Sequence, residues 1–137
     1  MRAFVGILLG IVAAIAVQSA LDYVASLIYP VAISNMLNLQ EVSEAFANRP
    51  TGALLLNVVN FFLGGLAGGL VAARVSRRAM LAWVPGIILA LMALVIVFAY
   101  PLPPWAWFAS LAAPLIGAKV ARHLGAPSAA PPETNAA

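Results

Sequence analysis

Residues 60–78 read NFFLGGLAGGLVAARVSRR: four glycines fall in the six positions from 64 to 69 of an apolar run, which then ends on Arg74, Arg77 and Arg78. In water each interior glycine would cost a helix about 1 kcal/mol relative to alanine, so the stretch makes little sense as part of a soluble helix. In lipid the balance differs. Helices there gain little hydrophobic energy by touching one another, and close backbone approach through small residues becomes the main route to tight packing. Gly64 and Gly68 form one GxxxG, Gly65 and Gly69 a second, and Ala72 and Ala73 extend both by a turn.

Composition agrees with that solvent. Of 137 residues 64% are hydrophobic and 8% charged, whereas a soluble domain carries roughly 25% charged residues. The mean hydropathy is +1.04. There is too little polar surface to clothe a globule in water, and the lipid bilayer is the expected partner. The net charge of +3 does not point to nucleic acid, because the basic residues sit at the ends of apolar runs and form no basic face. Cysteine is absent, which removes disulfides, thiolate nucleophiles and cysteine-based metal sites.

A helix needs about 20 mostly apolar residues to cross the hydrocarbon. Four segments meet that length, at 3–29, 52–73, 79–99 and 105–120, so the expected fold is an all-α membrane protein with four transmembrane helices in residues 1–124. Arg2, Arg74, Arg77, Arg78, Lys119 and Arg122 fall on one side of these spans and Arg49 alone on the other. By the positive-inside rule both termini are cytoplasmic. Val17-Gln18-Ser19 has the form of a signal-peptide cleavage site, but the apolar run continues to Ile28 and the segment before it holds one arginine, so it is read as a span.

In the outer loop, residues 30–51, Asn38 followed by Glu41 has the form of a capping box, and Leu39, Val42 and Phe46 then give a short helix one greasy side. It is expected at the outer leaflet surface, as a linker or as a lid over the bundle mouth. Tyr100, Trp105 and Trp107 form an aromatic belt at the outer interface, with Trp83 near the inner one. Residues 125–137 lack apolar periodicity and are rich in proline and alanine, which predicts a disordered cytoplasmic tail.

Span four repeats the small-residue device at Ala109, Ala113, Gly117 and Ala121, with Pro114 expected to bend the helix, and span one starts with Gly6, Gly10 and Ala14. A shift of 45 residues lays GGLAGGLVAARVSRR over ASLAAPLIGAKVARH with six of fifteen positions identical. Spans one and three both end in Tyr-Pro. Two copies of one hairpin, related by an axis along the membrane normal, or convergence under shared membrane constraints account for this equally.

Ionisable residues within spans are expensive and are the first place to look for function. Asp22 is the candidate, on a stripe with Gln18, Ser19, Ser26 and Tyr29. Asn57 and Asn60 share a face of span two with Gly64 and Gly68, and at 1.5 Å per residue they lie about 8 to 12 Å below the outer end of their helix, level with Asp22 at about 10 Å. A cluster of Gln18, Asp22, Asn57 and Asn60 is expected in the outer half of the first hairpin, with amide partners and no compensating cation. It reads either as a hydrogen-bonded lock or as a proton or cation site. Catalysis lacks parts: His123 is the only histidine, no carboxylate cluster exists for a metal, and no Ser, His and Asp can meet at one depth. No enzyme activity and no cofactor is expected.

The stretch TGALLLNVVNFFLGGL resembles the Gly-Thr-x-x-x-Asn segment of the small four-helix fluoride channels, with Asn57 in the asparagine position, but span three lacks the Thr- and Phe-rich run those channels carry and the likeness is declined. The fuller resemblance is to small four-span bacterial inner-membrane proteins of no assigned activity. It rests on Asp22, Tyr29-Pro30, Pro50 to Ala53, Gly64 to Gly69, Arg74 to Arg78, Pro103-Pro104-Trp105 and Pro114. The resemblance implies a multi-pass protein of the bacterial inner membrane and carries no functional residues with it. Two functions are weighed: a structural or accessory protein acting through helix packing on a membrane-protein partner, and a small homo-oligomeric transporter or channel with its polar site at Asp22, Asn57 and Asn60.

Overall fold

The computed structural model describes residues 1–31, 33–35 and 37–125. It is all-helical, with no strand among the described residues. The helices are α1 (Arg2–Ile28), α2 (Leu39–Ala47), α3 (Thr51–Ser76), α4 (Trp83–Ala99) and α5 (Pro104–Leu124), with a 3-10 turn at Ala79–Ala82 leading into α4. Three stretches are long and apolar enough to cross a membrane: Arg2–Ile28, Thr51–Ser76 and Ala79–Ala99, with mean hydropathies of 2.4, 1.9 and 2.7. Helix α5 has the length, 21 residues, but its two tryptophans, Ser110, Pro114, Gly117 and Lys119 keep it below that apolarity.

Helix α3 is the centre of the molecule, and its glycines explain why. Along α1 and α3 the chains run antiparallel, and each step of four residues up one is met by a step of four down the other. Gly6 faces Ser76 and Ala72, Gly10 faces Gly68 and Ala72, and Gly64 faces Ala14 and Gln18. A Cβ on Gly10 would stand 2.7 Å from the Gly68 carbonyl oxygen, and one on Gly68 the same distance from that of Gly10. The second glycine pair, one residue and about 100° around the helix, faces α5 instead. A Cβ on Gly65 would strike the Pro114 carbonyl, and Gly69 lies against Ala118 and Ala121. Two GxxxG motifs offset by one position thus give α3 two neighbours, one per motif.

Helix α4 lies across α3 and closes both seams. Pro85 fits against Gly10 and Gly68, Leu89 against Gly64, and Gly86 against Pro114 and Ala118. Leu89, Pro85 and Pro114 are fully buried, and the core around Leu89 is completed by Ala14, Phe61, Ala93 and Ala113. On α5 the buried face is Ala106, Ser110, Ala113, Pro114, Gly117, Ala118 and Ala121. Ala113 and Gly117 are therefore packing residues as expected, whereas Ala109 sits half-buried at the margin.

The packing lacks the twofold relation that equivalent hairpins would have. Helix α4 touches α3, so its counterpart α1 should touch α5, and those two helices do not pack. Gly65 meets Pro114, one helical turn beyond the Ser110 that the 45-residue shift lays over it.

Helix α3 ends with Ser76, whose hydroxyl donates to the Ala72 carbonyl at 2.5 Å and accepts from the Arg78 N–H at 3.2 Å. Arg77 follows in the left-handed region at φ 55. Of the expected tail, Gly125 is buried against Ala73, and residues 126–137 lie outside the described residues.

Candidate functional site

The α1–α3 ladder carries the polar residues as its next rung. One turn beyond Gln18 and Gly64 come Asp22 and Asn60, and the Asn60 Nδ2 donates to Asp22 Oδ1 at 2.6 Å and to the Gln18 backbone carbonyl at 3.4 Å. Asn60 is 5% exposed, and its Oδ1 is buried and accepts no hydrogen bond among the described residues. Asp22 stays on the exposed side of the seam. At the outer end Tyr29 places its hydroxyl against Gly52, where any side chain would collide with it.

Three of the four expected residues therefore meet, though not all in the expected way. Asp22 and Asn60 pair through side chains. Gln18 contributes its backbone carbonyl, while its side chain packs on Gly64. Asn57, half-buried one turn nearer the outer end, takes no part in these hydrogen bonds.

Arg49 is the basic residue whose charge bears on Asp22, without forming an ion pair with it. Arg49 is half-buried at the outer end of the bundle: burial lowers its pKa, and the charge of Asp22 raises it in part. Its guanidinium sits 4.3 Å above the Phe46 ring, a cation–π contact, and Phe46 in turn stacks on Tyr100 with centroids 4.1 Å apart. Helix α2 is tied in this way to the turn after α4.

Helix α2 starts at Asn38, whose side chain accepts from the Gln40 and Glu41 N–H groups. The reciprocal half of the capping box is missing. Glu41 Oε1 accepts from the Ser34 N–H and hydroxyl at 2.6 and 2.5 Å instead, which lowers its pKa below the ordinary glutamate value. Two of the aromatics expected in the belt also pack within the chain: Tyr100 under Phe46, and Trp107 tilted against Phe98 at 6.0 Å.

Beside Asn60 a cleft of about 50 Å³ is lined by Leu21, Val24, Ala25, Leu56, Val59 and Asn60. It admits a water molecule or a small ion, whereas a drug-sized ligand needs about 300 Å³ or more. Among the described residues no three His, Cys, Asp or Glu side chains come together to hold a metal.

These features define an all-helical protein with three helices able to cross a membrane and one charged hydrogen-bonded pair between the first two. The chain matches no protein-family model, no curated protein and no solved structure.

Proposed function

We propose that the chain is a four-span protein of the bacterial inner membrane, with α5 as the fourth span and both termini cytoplasmic, and that it is a non-enzymatic structural or accessory protein working through helix contacts. The observation that carries this reading is the closure of the bundle on small residues. Ala72, Ala73, Ala82, Ala93, Ala118 and Ala121 are wholly excluded from solvent, and the buried polar side chains among the described residues are Asn60, Ser76 and Ser110. A bundle closed in this way has no aqueous path through the protomer, and an accessory protein needs none. The Asp22–Asn60 pair then serves as a register lock: a one-turn slip of α1 on α3 would strand a carboxylate in lipid. The resemblance to small four-span bacterial membrane proteins supports the location.

A second reading is favoured by one observation, the buried Asn60 Oδ1 without a partner beside a carboxylate. A small homo-oligomeric transporter would use that oxygen and Asp22 as ligands for a proton or small cation, the path running between protomers. Asp22→Asn separates the two readings. The variant keeps a hydrogen-bonding partner for Asn60 and should assemble normally in native membranes, as followed by cross-linking. Cation or proton flux into vesicles that carry the parent chain and vanishes with Asp22→Asn would replace the accessory reading by the transporter.

A further inference from the structure

Five cations gather where α3 and α5 end. The seam between these two helices closes with Gly69 against Ala118 and Ala121 and with Ala73 against Gly125. Arg77 lies one turn beyond Ala73, and Arg122 one turn beyond Ala118, so the two arginines bracket the end of the seam. Arg74, Arg78 and Lys119 stand beside them, and all five are exposed. No carboxylate among the described residues is near: Asp22 is paired with Asn60 several rungs away, and Glu41 and Glu44 belong to α2. Glu133, outside the described residues, is one charge against five. The helix C-termini contribute about half a negative charge each, which leaves most of the positive charge unanswered.

The Arg77 backbone is left-handed at φ 55, a conformation usually left to glycine at this position, and it ends α3 at the close of the seam. Next to the cations the surface turns apolar. Ile116, one turn back from Lys119 on α5, and Phe108, about two turns further on the same side, are 52% and 75% exposed. Cations over an apolar strip suit an amphiphile with an anionic head, and suit an acidic protein or a nucleic acid less well.

We propose that this end of the α3–α5 pair is a docking surface for an anionic phospholipid, its phosphodiester held between Arg77 and the Lys119–Arg122 pair and its acyl chains lying back along α5 over Ile116 and Phe108. The inference rests on the membrane reading above but not on which side of the bilayer this end faces. Basic surfaces between helices at the membrane boundary are suited to such headgroups, each Lys or Arg contributing severalfold in affinity.

Trp83 starts α4 directly after Ala82, whose carbonyl borders Gly69, and so reports on this end. In phosphatidylcholine nanodiscs, a chain with Trp105→Phe and Trp107→Phe is titrated with brominated phosphatidylglycerol or brominated phosphatidylcholine, and quenching of Trp83 is read. Phosphatidylglycerol is expected to be preferred about tenfold. Lys119→Gln with Arg122→Gln should bring the two lipids close to parity, Arg2→Gln should change little, and millimolar inorganic phosphate should not compete. Thermal unfolding of the unsubstituted chain should rank the two lipids in the same order. Equal quenching by both lipids overturns the proposal. So does a loss with Arg2→Gln as large as with the double variant, which would mean diffuse charge attraction, or displacement by phosphate or an acidic peptide. Absence of quenching by either lipid would remove the membrane reading itself.

Discussion

Asn60 can donate two hydrogen bonds, and both of its protons go to acceptors on α1, the Asp22 carboxylate and the Gln18 carbonyl. Side-chain hydrogen bonds between membrane helices are worth about 0.6 kcal/mol and at most about 2. Asn60→Ala should therefore destabilise the bundle by about 1 to 2 kcal/mol in reversible unfolding from detergent, near the upper end because a carboxylate loses its donor. Asp22→Asn should cost less than about 1. At Arg77 the left-handed backbone predicts the opposite sign: Arg77→Gly should stabilise by about 1 kcal/mol in the same measurement. Glu41 carries a pH dependence. Its folded pKa lies below the ordinary value near 4.5, so the Ser34–Glu41 link contributes fully above that value and is lost only as the pH falls through the lower folded one. A side-chain NMR titration should place the Glu41 midpoint below that of Glu41 in the unfolded chain, and Glu41→Gln should remove the acid transition of α2.

Elements meet here through backbone rather than through side-chain knobs, and the two faces of α3 differ in how far they can yield. At Gly64 an added Cβ would meet side-chain atoms, Leu89 Cδ1 and Gln18 Cγ at 3.0 and 3.1 Å, which can shift more readily than backbone. At Gly65 it would meet the backbone of Pro114, and at Gly117 the backbone of Phe62 and Leu66. Gly65→Ala and Gly117→Ala should each cost about 2 to 3 kcal/mol and Gly64→Ala about 1 or less. Equal losses at Gly64 and Gly65 would mean that α5 does not approach α3 as described. Proline has its own part at this scale. Pro114 is buried in the middle of α5 with its carbonyl turned to Gly65 and Gly86, so the helix has surrendered a hydrogen bond at the point where two neighbours approach its backbone.

For the molecule as a whole the organising feature is charge asymmetry along the bundle. Six of seven basic residues stand at one end, while Arg49 and the described acids stand toward the other. Reporter fusions after Arg78 and at the C-terminus should both read cytoplasmic, and one in the α2 loop periplasmic. Replacing Arg74, Arg77 and Arg78 with glutamine should produce mixed orientation in the first of these fusions, because the central loop then loses its bias. At that other end Arg49, Phe46 and Tyr100 stack in turn and tie α2 to the turn after α4.

Helix positions, the Asn38 start of α2, the packing role of the glycines and the pairing of Asp22 with Asn60 were readable from the residues, because each follows from local periodicity, capping chemistry or rise per residue along antiparallel neighbours. The residues could not say that one GxxxG faces α1 and the other α5, that Ser110 rather than Ala109 lies in the seam, or that the two hairpins pack without twofold symmetry. Nor could they say that Phe46 stacks on Tyr100 across fifty-four positions of chain. Such choices belong to the tertiary structure because small residues permit close approach on several faces at nearly equal cost, and only the simultaneous fit of Pro85, Leu89 and Pro114 against those faces selects one arrangement.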